Sequence, residues 1–329
     1  MLNKELYLNE DMFENPQMSA TRDGYSSGLL NLAKIHNDVV VLTADLTEST
    51  RVEEFSKLYK DRFFECGVAE QNMAGVAAGL AVTGKTPYIS SYATFSPGRN
   101  WEVIRTTIIY NRANVKIAGH HSGLMTAEDG ATHQATEDIA ILRCIPDITI
   151  IVPTDAIEAR KATEKSYDIK GPVYLRFTRA NTSIMTTDKT PFSVGKNQTF
   201  WIGNNPKVSI FATGFILYNA LTAAKELQKE GIEVNVVNVS TIKESDTENI
   251  IKEASTTRAV VTAEDHQITG GLGGMISEVL SQNMPTPIEF VGMQNTFGES
   301  GSPDELLLKY HMDKDSIKEK VRKVIARKK

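Results

Sequence analysis

Glu65-Cys66-Gly67-Val68-Ala69-Glu70-Gln71-Asn72-Met73-Ala74-Gly75-Val76-Ala77-Ala78-Gly79-Leu80 is the stretch from which the rest of the chain is read. From Glu70 it reads as a helix, closing at Thr83-Gly84 with glycine in a C-terminal stop position. Ala74, Gly75, Ala77, Ala78, Gly79 and Ala81 leave almost no bulk on any face. Glycine inside a helix costs about 1 kcal/mol relative to alanine, so such a helix is expected to be buried under another backbone, such as that of a second subunit. Glu70 stands at its mouth beside apolar residues. A carboxylate kept from water is held closer to neutral and can share a proton with a ligand nitrogen. The plainer reading is electrostatic capping, since acids favour first helical turns; the helix alone favours capping.

Outward from this helix, apolar strands alternate with helices. Val39 to Thr43, Pro87 to Ser90, Val115 to Ala118, Thr149 to Val152 and Val173 to Phe177 read as strands. Helices are expected around Leu29 to Leu32, around Trp101 to Tyr110 and from Asp155. The chain turns polar and irregular from about Asn181 to Pro206, which marks a boundary. A second series follows, with strands Val208 to Ala212, Val234 to Val239, Ala259 to Ala263 and Ile288 to Val291. Its helices are Tyr218 to Glu230, Thr247 to Ala254, Gly274 to Gln282 and Asp315 to Ala326. Continuous apolar strands separated by helices imply parallel sheets covered on both faces. The fold class is therefore α/β, with two consecutive doubly wound domains: a mainly parallel sheet in 1–190, a linker 191–205, and a smaller α/β domain in 206–329.

Composition narrows the function. The chain has 329 residues, 41% hydrophobic and 23% charged, enough for two ordinary cores. A net charge of −5 argues against a nucleic-acid surface. No apolar run approaches the roughly 20 residues that span a bilayer, and the acidic N-terminus shows no signal peptide. Cys66 and Cys144 lie far apart without metal-type spacing and read as reduced, buried thiols of a cytoplasmic protein. Lys318 to Lys329 reads as a solvated basic helix face.

In parallel sheets ligands collect beyond the carboxyl ends of strands, and polar clusters at Asp45, Tyr92 and His121 all follow strands. The loop His120 to Gln134 holds three of the six histidines. It has no His-Glu-x-x-His or comparable metal pattern, so no metal site is expected, and imidazoles offered with Asp129 to substrate hydroxyls fit better than metal binding. Ordinary loop structure is the alternative. Arg22, at a helix start where a cation is disfavoured, could share an anion with Ser49 and Arg179; each singly is more often a surface residue. Tyr92 and Phe95 could sandwich a flat heterocycle, though such rings are more often core. Gly270-Gly271-Leu272-Gly273-Gly274 lacks phosphate-loop spacing and reads as a tight turn into a helix.

Taken together, these segments resemble the C-terminal half of transketolase, as in the separate C-terminal subunits of split transketolases. The resemblance covers nearly the whole chain, a pyrimidine-binding domain followed by a transketolase C-terminal domain. It rests on Thr43-Ala44-Asp45-Leu46-Thr47, Gly67-Val68-Ala69-Glu70-Gln71-Asn72-Met73, Tyr92-Ala93-Thr94-Phe95 and Glu128-Asp129-Gly130-Ala131-Thr132-His133-Gln134. Leu175-Arg176-Phe177-Thr178-Arg179 and Gly270-Gly271-Leu272-Gly273 add to it.

The resemblance implies thiamine diphosphate as cofactor, with Glu70 bonded to a nitrogen of its aminopyrimidine. Tyr92 and Phe95 are implied to stack on that ring, with Asp45 and Leu46 in the cofactor site at a subunit interface. His121, Asp129 and His133 are implied to contact substrate hydroxyls and handle protons, and Arg22, Ser49, His121 and Arg179 to hold a sugar phosphate. The implied reaction moves a two-carbon glycolaldehyde unit from a ketose phosphate to an aldose phosphate, as in the pentose phosphate pathway. Three departures stand out: Gly98 where many relatives carry a further aromatic, Tyr92 for the commoner phenylalanine, and no Gly-Asp-Gly with a downstream asparagine. In the family that last element holds magnesium and the diphosphate, so an N-terminal subunit is expected to supply it in a heterotetramer. A 2-oxo-acid dehydrogenase beta subunit and a non-catalytic assembly or regulatory subunit are the alternatives. Arg22, Ser49 and Arg179 speak against the first, and intact Glu70, Asp129 and His133 against the second.

Overall fold

The computed structural model describes residues 1–328. A seven-stranded sheet runs in the order Thr241–Lys243, Thr149–Ile151, Val173–Arg176, Lys116–His120, Thr86–Tyr92, Val39–Thr43, Phe63–Glu65. All neighbours pair in parallel except Thr241–Lys243, which is antiparallel to Thr149–Ile151. A five-stranded sheet follows in the order Ile288–Met293, Val260–Gln267, Val208–Ala212, Val234–Asn238, Gln198–Trp201. Its last strand alone is antiparallel. These are the two α/β domains expected.

Helices cover both faces of each sheet because the strands are apolar on both sides, Val39–Thr43 being buried at every position. On one face of the first sheet, helices Thr21–Ile35 and Ala156–Ser166 enclose Tyr25, Leu29, Val41, Tyr88 and Phe177. On the other, Met73, Ala74, Ala77 and Ala78 of helix Glu70–Val82 pack with Ile104 and Ile108. That cluster runs without a break into Val237, Val260 and Leu272 of the second domain, so the two domains share one apolar core. The remaining face of the second sheet packs on helices Leu217–Lys229 and Lys314–Ala326.

Several details differ from expectation. Residues 191–205, read as a linker, contain the edge strand Gln198–Trp201, on which the N-terminus lies through Asn3 N to Phe200 O at 2.9 Å. The stretch looked irregular because a four-residue edge strand carries too short a pattern to register. Thr241–Lys243, from the second half, completes the first sheet. The expected helix from Trp101 to Tyr110 is α-helical only over Trp101–Val103 and continues with π geometry over Ile104–Ile109.

Within this chain nothing lies within 4 Å of a side-chain carbon built at Gly75 or Gly79, so one face of the small-residue helix is open and no backbone of this chain covers it. Cys144 is exposed and Cys66 half-buried, so neither is the buried thiol expected. The basic C-terminal helix is partly docked, with Lys318 paired to Glu226 at 2.7 Å and Lys323 to Glu289 at 2.9 Å. Its final residue, Lys329, lies outside the described residues. No helix among the described residues is long and apolar enough to cross a membrane.

Candidate active site

Parallel pairing brings the carboxyl ends of Val39–Thr43, Thr86–Tyr92, Lys116–His120 and Val173–Arg176 to one edge, with Tyr92 opposite His120 and Gly119 opposite Arg176. The segments just beyond those ends carry the candidate side chains. Glu70 begins its helix there, with only 1% of its surface exposed. Its surroundings are not apolar: Arg99 Nη1 donates to Glu70 Oε2 at 2.8 Å, and the same guanidinium lies 4.7 Å from the centre of the Phe95 ring. Asn100 Nδ2 binds the Glu70 carbonyl at 3.2 Å, fixing the helix start.

From Phe95 a continuous strip of rings leads to the basic residues. Phe95 and Tyr92 are nearly parallel, with centroids 6.0 Å apart. A flat ring between them would need two contacts of ~3.5 Å, about 7 Å in all. They are therefore not two sides of a sandwich; a heterocycle has to lie on an outer face. The outer face of Tyr92 is taken by His121, stacked at 3.9 Å. His133 meets both rings edge-on, at 6.1 and 5.5 Å. Thr94 Oγ1 ties the aromatic turn to the His133 carbonyl at 3.0 Å, and Thr132 Oγ1 lies 2.8 Å from His133 Nδ1.

Arg22 Nη1 lies 2.9 Å from both the Ser49 carbonyl and His121 Nε2. A guanidinium can only donate, so His121 Nε2 must accept and the ring proton must sit on Nδ1. Burial, then Arg22 and Arg179, push the His121 pKa down to about 3, so the ring is neutral near pH 7. His121 Nδ1 and Arg22 Nε are both buried and without a hydrogen-bond partner in the protein, two donors left unmet. Ser49 takes part through its main-chain oxygen rather than its hydroxyl. Arg179 binds the Thr126 carbonyl at 3.2 Å and Glu128 at 2.6 Å, with exposed Asp129 among the charges acting on it.

Asp45 and Leu46 stand to one side. Their turn is held by Glu65, which accepts from Asp45 N at 2.7 Å and Thr47 Oγ1 at 3.1 Å, and by Thr50, which donates to the Leu46 carbonyl. Among the described residues no hydrogen bond joins them to Tyr92 or Phe95, and no group of three or more His, Cys, Asp or Glu side chains could hold a metal ion.

Sequence reading missed the residues that hold the histidine loop in place. Asp265, from the second domain, accepts from Leu124 N at 2.9 Å and fills the space beside Gly123, whose φ is +65° and whose added Cβ would lie 2.0 Å from Asp265 Oδ2. Burial raises the Asp265 carboxyl to about 6. Arg176 reaches the Asp265 carbonyl at 2.9 Å and is paired with buried Asp138 at 2.8 Å. Gln134 Nε2 donates to the Glu299 carbonyl at 2.9 Å. The loop also carries left-handed backbone at His121 (φ +50°) and Ala127 (φ +62°), strain of the kind that persists where surrounding contacts over-determine it. Arg176 stands in a quoted motif; nothing local marks Asp265 or Glu299. The groove of about 810 Å³ at Arg258, Pro287 and Arg327 lies at the opposite, amino ends of second-domain strands, away from this chemistry.

The whole arrangement suits a flat, N–H-bearing heterocycle at Glu70 and Phe95 and an oxyanion near Arg22, His121 and Arg179. Comparison with known proteins finds two family matches along the chain. Residues 17–184 match the family described as "Transketolase, pyrimidine binding domain", and residues 202–317 that described as "Transketolase, C-terminal domain". A transketolase C-terminal section of Methanocaldococcus jannaschii is 43% identical over 91% of this chain and 94% of its own. A 6-deoxy-6-sulfo-D-fructose transketolase subunit of Clostridium sp. is 37% identical over 93% of this chain and 95% of its own. A solved structure described as a split gene transketolase, inactive beta4 tetramer, superposes with a TM-score of 0.88 at 41% identity, covering 94% of this chain and 99% of that one.

Proposed function

The chain belongs to the transketolase family, as the C-terminal subunit of a split enzyme, and we propose that with a separate N-terminal subunit it moves a two-carbon ketol unit from a ketose phosphate to an aldose phosphate. The observation that carries this reading is the unbroken strip Glu70, Arg99, Phe95, Tyr92, His121, Arg22 along one sheet edge. One end of that strip fits the aminopyrimidine of thiamine diphosphate: a buried carboxylate beside an aromatic face already holds a planar N–H donor. When bound, the cofactor supplies an electron sink for cleaving the bond beside a ketose carbonyl.

This chain's residues do the rest. Glu70 shares a proton with a ring nitrogen and so sets which tautomer is populated. Phe95, backed by Tyr92, gives the ring a flat wall and keeps water from it. His121, neutral and protonated on Nδ1, donates to a substrate oxygen without itself changing charge. Arg22 and Arg179 hold the anionic end of the sugar, with the Ser49 carbonyl orienting the first. Asp129 and His133 exchange protons with substrate hydroxyls. Asp45 and Leu46 lie toward the partner, which holds the diphosphate and its divalent cation in a heterotetramer. A cytoplasmic setting and a pentose-phosphate role belong to the same proposal.

Reconstitution with the N-terminal subunit tests it. Xylulose 5-phosphate with an aldose phosphate is expected to turn over, and neither subunit alone to do so. Turnover of pyruvate instead would favour the oxo-acid dehydrogenase reading. A sulfonated ketose should be run in parallel, because two arginines recognise sulfonate and phosphate by the same hydrogen bonds. No turnover with any ketose, in an assembly that forms, would support a non-catalytic subunit.

A further inference from the structure

Arg99 has no role in the mechanism above, yet it occupies the centre of the site. Its side chain is 48% exposed while that of its partner Glu70 is 1% exposed, so the guanidinium reaches inward from solvent to pair with a buried carboxylate. It meets two demands at once: Nη1 donates to Glu70 Oε2 at 2.8 Å, and its flat face covers Phe95 at 4.7 Å. A bound aminopyrimidine would make the same two demands, a ring nitrogen sharing a proton with Glu70 and a π-surface against Phe95. Gly98, immediately before Arg99, has no room for a side chain, because an added Cβ would lie 1.9 Å from the Thr94 carbonyl oxygen. The turn thus cannot place a further ring at that position, and the next residue supplies a planar cation instead.

We infer that Arg99 is a stand-in for the cofactor's aminopyrimidine: it satisfies Glu70 and covers Phe95 while the site is empty, and yields both when the ring enters. The inference rests on the thiamine diphosphate reading above. Its consequence is that cofactor binding is an exchange. In the natural chain the ring replaces a partner that Glu70 already has, so the net gain is small. Without the guanidinium the ring would rescue an orphaned buried carboxylate, and the gain would be larger.

The test is binding of thiamine diphosphate with Mg²⁺ to the reconstituted two-subunit assembly, followed by calorimetry, and thermal unfolding of the lone full chain. Arg99→Ala is expected to tighten Kd by about tenfold, equivalent to ~1.4 kcal/mol. In the lone chain the same variant should unfold at lower temperature, by more at pH 8 than at pH 5, because an unpaired buried Glu70 is tolerated only when protonated. A contact of merely structural value would lower the melting temperature equally at both pH values. Arg99→Lys, which keeps the charge but not the flat face, should restore the pH behaviour and bind with intermediate affinity; it also serves if Arg99→Ala fails to assemble. Equal or weaker cofactor binding by both variants overturns the inference and leaves the functional reading intact. If the natural assembly takes up no thiamine diphosphate while both subunits associate, that reading falls as well.

Discussion

Replacing Arg22 by glutamine separates anion recognition from ketol chemistry. Arg22 makes two 2.9 Å contacts, to the Ser49 carbonyl and to His121 Nε2, and its buried Nε has no partner within the protein. A substrate oxyanion reaching that donor would form a charge-assisted hydrogen bond, worth about 1.5–3 kcal/mol. At 1.4 kcal/mol per factor of ten, kcat/KM for a phosphorylated ketose should fall by about 10- to 150-fold. A ketol donor with no anionic tail, such as erythrulose, should change by less than about threefold, since it has no group for Arg22 to hold. The variant also reports on His121. Burial, then the Arg22 charge, hold that imidazole at about 3. Removing Arg22 lifts the second of these causes while burial and Arg179 persist, so any acid limb set by loss of neutral His121 should move upward in pH without reaching that of an ordinary histidine. Steady-state rates with both donors from pH 5 to 8 are the assay. Equal losses with both donors would refute the reasoning.

Three further outcomes are expected. Glu70→Ala in the reconstituted assembly should lower kcat by about 10²- to 10⁴-fold, the range for a positioned proton-handling group, measured at saturating cofactor; unchanged turnover would show that the carboxylate is structural. Asp138→Asn leaves Arg176 uncompensated in a pair whose side chains are 1% and 4% exposed, and should cost about 3–5 kcal/mol in urea unfolding. Glu158 is fully buried between Thr154 N and Asn238 Nδ2, at 2.6 and 2.8 Å, and burial, then Asp155, raise it to about 8. Between an ordinary carboxylate value and about 8 the native state keeps a proton that the unfolded chain has lost, so this group's contribution to stability falls as pH rises through that window. Glu158→Gln should flatten the melting-temperature slope between pH 6 and 9; an unchanged slope would assign it elsewhere.

Much of the site was legible because strand ends are legible. Apolar runs such as Val39–Thr43 and Val173–Arg176 show where strands stop, and in a parallel sheet the segments after those stops share one edge. That places Asp45, Tyr92, His121 and Arg179 together before any distance is known. Geometry within the site was not legible. Tyr92 and Phe95 are three residues apart, but whether they flank a gap or lie against each other depends on the turn in which Phe95 N and Ser96 N both bind the Tyr92 carbonyl, each at 2.8 Å. The tautomer of His121 follows from Arg22, 99 residues away in the chain. Asp265 and Glu299 reach the histidine loop from the other domain, and neither belongs to a motif.

The amino-acid order alone determined the alternation of elements, the two-domain α/β class, the helix beginning at Glu70 and the family resemblance. These depend on periodicity and local spacing, which neighbouring residues encode. Tertiary structure alone decided that Thr241–Lys243 finishes the first sheet, that Met1 to Asn3 lie on the second, and that a half-exposed arginine answers the buried carboxylate. Such choices turn on which of many similar donors reaches a given acceptor once the core has closed. That is a matter of long-range packing, to which no short stretch of the chain is party.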